Sequence, residues 1–136
     1  MAELQRRGLI ESANRPVIGD YAEVLVARAL SAEAPPGPDT GVDLITADGT
    51  TLQVKARRDP AGGQATHFDF SNLRERRFDS FVGVLFAEDF TVRGAWQMQW
   101  DVLNDLARPN GRKHRVRIKD IERAAVSNEA IEAIEL

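Results

Sequence analysis

The chain has 136 residues, 43% hydrophobic and 29% charged, which suits one domain (1–136) with a core of its own. It contains no cysteine, so disulfides and cysteine-ligated zinc are excluded, and His67 and His114 are too few for a histidine-rich metal site. No apolar run approaches the roughly 18 residues of a membrane span, and a formal net charge of −3 rules out a uniformly basic coat.

The opening "MAELQRRGLIESANRP" lacks the apolar stretch of a secretory signal, which with the missing cysteines points to a cytoplasmic protein. Residues 3–13 read as a short helix ended before Pro16. "IGDYAEVLVARALSAE" (18–33) is a stronger helix. Tyr21, Val24, Leu25 and Leu30 fall near the 3.6 spacing, with Asp20 as N-cap and Glu23 three residues on. "APPGPDTG" (34–41) breaks any element. "GVDLITADGTTLQVKARR" (41–58) reads as a β-hairpin, and "RDPAGGQATH" (58–67) as a loop. "FDSFVGVLFAED" (78–89) has a continuous apolar centre, as in a strand buried on both faces. "FTVRGAWQMQ" (90–99) alternates and should pair with it. "WDVLNDLARP" (100–109) reads as a short helix closed by Pro109 and Gly111. "HRVRIK" suits a short strand or an extended arm, and "SNEAIEAIEL" (127–136) reads as a terminal helix capped by Ser127 or Asn128. No repeat or low-complexity tract is present. This order of elements implies an α/β sandwich with a mixed sheet.

The hairpin carries three polar residues whose meeting depends on register. Gln53 and Lys55 are two apart and share a face. A two-residue Asp48-Gly49 loop would place Asp43 opposite Val54 and away from Lys55. A three-residue loop, Ala47-Asp48-Gly49, with Gly49 left-handed, places Asp43 opposite Gln53 and Lys55 diagonal to it. It also pairs Leu44 with Leu52 on an apolar face, so it is the expected register.

Brought together, these groups suit phosphodiester hydrolysis. Mg²⁺ commonly takes one or two carboxylates, with substrate phosphate and water completing its shell. Asp43 supplies charge, Gln53 an amide oxygen, and Val54 its backbone carbonyl. Lys55 can orient the attacking water or stabilise transition-state charge. Arg57 and Arg58 continue the same strand. "RKHRVRIK" (112–119) holds five Lys or Arg and no acid. Arg57, Arg58, Arg112, Lys113, Arg115 and Arg117 are therefore candidate phosphate contacts, against the plainer reading of a solvated face. His67 reads as a loop residue rather than a base, and Trp96 and Trp100 as packing residues.

Glu23 on a helix, then "PDTGVD" ending in Asp43, then "QVK" together resemble the PD-(D/E)xK nuclease superfamily over residues 19 to 57. The resemblance implies a restriction-endonuclease-like α/β/α sandwich with a central mixed β-sheet. It implies a Mg²⁺-dependent endonuclease acting on DNA, with Mn²⁺ as substitute and Glu23 as an added ligand. Gln53 stands where the family usually has an acid, a form resembling homing endonucleases and Holliday-junction-resolvase-like nucleases. The missing charge weakens the metal site unless Glu23 compensates. The alternative is a catalytically inactive DNA-binding or assembly module of the same fold. Cutting both strands with so small a chain implies a homodimer or higher homo-oligomer. RNA stays open as the nucleic acid, and no membrane partner is expected.

Overall fold

A computed structural model describes residues 15–37, 41–60, 63 and 66–136. The helix expected over 3–13, Pro38 to Thr40 of the "PDTGVD" stretch, and Gln64 lie outside the described residues. In chain order the elements are α1 (Arg15–Leu30), β1 (Ala32–Glu33), β2 (Leu44–Thr46), β3 (Thr51–Asp59) and β4 (His67–Phe70). A 3-10 turn (Leu73–Glu75) follows, then β5 (Ser80–Ala87), β6 (Val92–Gln99), α2 (Trp100–Leu106), β7 (Arg108–Asn110), β8 (Lys113–Arg117), α3 (Ile118–Ser127) and β9 (Ile131–Ala133).

The apolar run of β5 explains the architecture. Its side chains alternate between two cores, Val82, Val84 and Phe86 into one, Phe81 and Leu85 into the other. The first core is closed by α1, whose Tyr21, Ala22 and Val26 pack on Leu52 and on β5, with the Tyr21 and Phe86 rings stacked at 5.3 Å. The second is closed by Phe68 and Phe70 of β4, Val116 of β8, Leu103 of α2, and Ile118 and Ile121 of α3. A strand buried on both faces must sit centrally, and β5 does: the main sheet runs β1-β2-β3-β5-β6-β9. Among the described residues only β3 and β5 pair in parallel, so the sheet is mixed. The long β3–β5 crossover carries β4, which joins β8 and β7 in a second, three-stranded sheet. The protein is thus a mixed α/β fold. One face of its main sheet is covered by a helix, and the other by a small sheet together with α2 and α3, where the expected α/β/α sandwich has helices.

Several expected elements differ. The helix begins at Arg15 rather than at 18, so Asp20 is inside it, not its cap, and Glu23 is not part of a capping box. Pro16 sits in the first turn, where its missing N–H would have had no partner in any case. The helix stops at Leu30, because Ser31 turns left-handed (φ 52°) and Ala32–Glu33 pairs with β2 as β1. Residues 67–70, left out of the expected strands, form β4. The helix at 100 ends at Leu106, and Arg108–Asn110 beyond it is a strand. The terminal helix lies earlier than 127–136. Ile118 and Ile121 are buried on one face of α3, Ser127 ends the helix, and Asn128 donates back to Ala124. The segment after it pairs with β6 as edge strand β9, burying Ile131 opposite Met98 and leaving Glu132 exposed. Among the described residues no helix is long and apolar enough to cross a membrane.

Candidate functional site

The hairpin adopts the three-residue loop. Leu44 pairs with Leu52 and Ile45 with Thr51, Thr46 N–H donates to Thr50 O at 3.0 Å, and Gly49 is left-handed at φ 89°. The Asp48 carboxylate ties the loop internally. It accepts from Thr50 N–H at 3.1 Å and from the Thr46 hydroxyl. The expected alternation follows, with Leu44 and Leu52 buried in the core under α1 and Val54 packed against it. Gln53 and Lys55 therefore project from the opposite face of β3.

Asp43 lies just before β2, whose paired register starts at Leu44 opposite Leu52, so the expected Asp43–Gln53 pair is not part of the ladder. The Asp43 N–H donates to Leu52 O at 2.8 Å, and its Oδ2 accepts from Val54 N–H at 2.8 Å. A side-chain carboxylate thus takes the place that the next carbonyl of β2 would have filled, and fixes the acid against β3. In an extended strand a residue's N–H and C=O point the same way. Val54 accordingly turns its carbonyl toward the edge where Asp43 lies. The anchored carboxylate keeps acceptor capacity beyond this one hydrogen bond.

Glu23 and Lys55 flank this acid. Burial pushes the Glu23 carboxyl from 4.5 up to about 7, with Asp43 and then Asp20 adding to the rise. Burial also raises Asp43, against the Val54 hydrogen bond and the Lys55 charge, both of which lower it. Lys55 is lowered by burial, while Asp43 and Asp69 hold its proton and Lys113 opposes them. Its Nζ lies 5.2 Å from the centre of the Phe70 ring, on the side of the small sheet. Glu23 on α1 thus feels the charge of Asp43, and Asp43 feels that of Lys55, whose Nζ lies on the small-sheet side of β3.

Lys55 opens into a cleft of about 600 Å³ between β3, the start of α1 at Ile18, and the small sheet. Arg57, Arg58 and Lys113 line it with Lys55, and His67 and Asp69 form the opposite wall. The six expected phosphate contacts separate here. Arg57 Nη1 donates to His67 O at 3.1 Å, and Arg58 donates twice to Glu88 O, at 3.1 and 2.8 Å, under the Phe90 ring, so Arg57 braces β4 and Arg58 the β5–β6 turn as well as lining the cleft. Arg115 is held by Asp69 at 3.0 Å and Arg117 lies 3.6 Å from Asp120. Arg112 and Lys113 are exposed at the β7–β8 turn.

His67, read from sequence as a loop residue, is in β4 and half-buried in the cleft wall. Its Nε2 lies 3.5 Å from Asp69 Oδ2 and its Nδ1 2.8 Å from the Thr66 hydroxyl. Burial, then Arg115, lower its pKa against the opposing charge of Asp69, which favours the neutral ring. Asp69 and Phe70 were missed. Their signal was the alternation of "HFDF" (67–70), polar outward and apolar inward, hidden behind a glycine loop. Trp96 and Trp100 are packing residues as expected. Trp96 is buried in the second core, and Trp100 Nε1 donates to Leu73 O at 2.8 Å. A second cleft of about 550 Å³ surrounds Asp79 and Gln97, but the Asp79 carboxylate is already taken by the Thr51 N–H and hydroxyl.

Among the described residues no group of three or more His, Cys, Asp or Glu side chains is placed to share a metal ion. The hairpin edge brings together two acids, and both are pushed toward protonation by burial, Glu23 further by its neighbour's charge. Excess negative charge in a partly dry place suits a divalent cation. One or two carboxylates, with oxygens from Gln53 and Val54 to supplement them, are chemically sufficient for Mg²⁺. No family model and no curated protein matches this chain.

Proposed function

We propose that the protein is a metal-dependent endonuclease that hydrolyses DNA phosphodiester bonds, of the PD-(D/E)xK type with Gln53 in place of the second acid. The observation that carries this reading is an acid, Asp43, fixed to β3 through Val54 N–H one residue before Lys55, which lines a cleft with Arg57, Arg58 and Lys113; Glu23 is linked to Asp43 only through charge. Asp43 and Glu23 would hold Mg²⁺ or Mn²⁺, with the Gln53 amide oxygen and Val54 carbonyl as neutral ligands. A divalent cation bound there would supply Lewis acidity to a phosphate oxygen and acidify a water. The chain's own residues do the rest. Asp43 is locked to β3 through Val54 N–H, so a ligand it holds is fixed relative to Lys55. Lys55, partly desolvated, places a donor where charge develops on the phosphoryl group. The cleft cations hold the flanking phosphates. A homodimer would provide the two sites that cutting a duplex requires.

A second reading, an inactive DNA-binding or assembly module of the same fold, draws on the two-acid count of the site. Supercoiled plasmid incubated with Mg²⁺, with Mn²⁺ and with EDTA separates the two. The nuclease reading expects nicking or linearisation only with a divalent ion, and its loss in Asp43→Asn, which keeps the acceptor for Val54 N–H. Cleavage that persists in EDTA or in Asp43→Asn would sink the mechanism. DNA binding without cleavage in any metal would leave the module.

A further inference from the structure

The outer face of the small sheet is set by alternation. Phe68, Phe70 and Val116 point into the second core, so His67 and Asp69 of β4 and Lys113, Arg115 and Arg117 of β8 point out. The β7–β8 register places Arg108 opposite Arg115 and Asn110 opposite Lys113, on that same outer face. Like charges directly opposite each other across a strand pair destabilise a sheet. Asp69 relieves Arg115 from the β4 side, at 3.0 Å, and does not pair with Arg108. Arg117 leans on Asp120 at a looser 3.6 Å. A sheet that keeps Arg108 against Arg115 on an exposed face is complementary to a polyanion laid across it.

The hairpin ends in the two-residue loop Gly111-Arg112, with Gly111 left-handed at φ 62°. Residues 108 to 113 are all exposed, and β4 stops opposite His114, so the tip extends past its neighbouring strand. Pro109 lacks the N–H that a further strand would need, which argues against extension of the sheet at β7. Lys113 belongs both to this hairpin and to the cleft that holds Lys55. A two-stranded ribbon fits the major groove of a duplex, where Arg reads guanine and Asn reads adenine.

We infer that the β7–β8 hairpin is the duplex-reading element of this protein. Arg108, Arg115 and Arg117 on the sheet face contact the phosphates of double-stranded DNA, and Asn110 and Arg112 at the tip contact base edges beside the site of Lys55. The inference rests on the reading of the cleft as a nucleic-acid site, but not on cleavage.

Its test is fluorescence anisotropy of a labelled 20-base-pair duplex pool with a randomised centre, in EDTA, over a series of salt concentrations. Arg108 is exposed, so Arg108→Gln leaves the fold intact. It should lower the slope of log affinity against log salt by about one. Arg117→Gln should do the same. Selection from the pool should enrich a sequence for the wild type, and Asn110→Ala and Arg112→Ala should flatten that preference while leaving the salt slope closer to wild type. Wild-type affinity and slope in both Arg108→Gln and Arg117→Gln overturn the platform. Single-stranded DNA or RNA bound as tightly as the duplex overturns the duplex assignment. An unselective wild type, or tip variants as selective as it, overturns the reading role of the hairpin. Plasmid cleavage with an unaltered Arg108→Gln sinks this inference alone. Hairpin-dependent binding without cleavage in any metal sinks the nuclease and keeps the inference.

Discussion

Glu23 holds a proton over a range in which an ordinary glutamate has lost it, because burial and then Asp43 and Asp20 lift it from 4.5 to about 7. The folded state therefore binds more protons than the unfolded chain between those values. The stability from this group is complete below about pH 4.5 and is lost as pH rises through about 7. Allowing for partial contact with water, the loss is about 1 to 2 kcal/mol. Urea unfolding in EDTA should show the wild type losing that much relative to Glu23→Gln between roughly pH 4.5 and 7. Added Mg²⁺ near pH 8 should restore stability to the wild type more than to the variant. Parallel pH profiles would mean that Glu23 does not share Asp43's environment. Lys55 and Gln53 should fail in different ways. Lys55→Ala keeps every proposed ligand, so metal binding should survive while turnover falls about 100- to 1000-fold. Gln53→Ala should be partly rescued by more metal. Cleavage rates measured against Mg²⁺ concentration decide this, and two wild-type curves would make the pair surface decoration.

Two glycines show how the elements hold this site, and for different reasons. Gly49 is left-handed in the hairpin loop with open space where a side chain would go. Gly49→Ala should cost about 1 kcal/mol, from backbone strain alone. Gly83 in β5 has ordinary backbone, but a Cβ there would lie 2.8 Å from Phe68 and 2.9 Å from Phe81. Gly83→Ala should cost about 1 to 3 kcal/mol by overpacking, and it should push β4 away from β5, disturbing the cleft wall that carries His67 and Asp69. Thermal unfolding checks the stabilities, and an equal or smaller cost at Gly83 would show that β4 yields easily. The elements legible in sequence were those whose pattern is local. The apolar run of β5 could only be a central strand, and the three-residue Ala47-Asp48-Gly49 loop, with Gly49 left-handed, set the register of β2 and β3. Others were settled by distant contacts. "AIEAI" near the C-terminus has helical spacing, yet Ile131 finds Met98 across the sheet and the segment extends. In α3 the helical stripe of Ile118 and Ile121 was masked by the charged run before it. Four-residue β4 offered too short an alternation to stand out beside a glycine loop. For the site, the hairpin loop that sets Asp43 beside β3 was legible because it is local, whereas the wall formed by Asp69 and His67 needed the crossover between β3 and β5.

The whole chain carries a net charge of −3, so any affinity for DNA must come from where its cations sit. The cleft and the outer face of the small sheet concentrate several of them, and Asp43, though outside the cleft lining, acts on the charge of Lys55 within it. In the proposed site, a phosphate drawn in by the cations would feel the Asp43 carboxylate when no metal is present. This makes the sign of one substitution depend on the buffer. Asp43→Asn removes a negative charge and keeps an oxygen for Val54 N–H. In EDTA it should bind duplex DNA more tightly than the wild type, by about 3- to 10-fold at low salt, since one charge repulsion at several ångströms in a partly screened place amounts to about 1 kcal/mol. With Mg²⁺ or the non-cleaving ion Ca²⁺ the order should reverse. In the proposed site the wild type would hold the cation through Asp43 and Glu23, offsetting their charge toward phosphate, and the variant would lack the Asp43 ligand. Anisotropy titrations of both proteins in the two buffers measure this directly. A variant that binds like the wild type in both would place Asp43 away from the DNA, and the acids of the hairpin would then serve the fold rather than a metal.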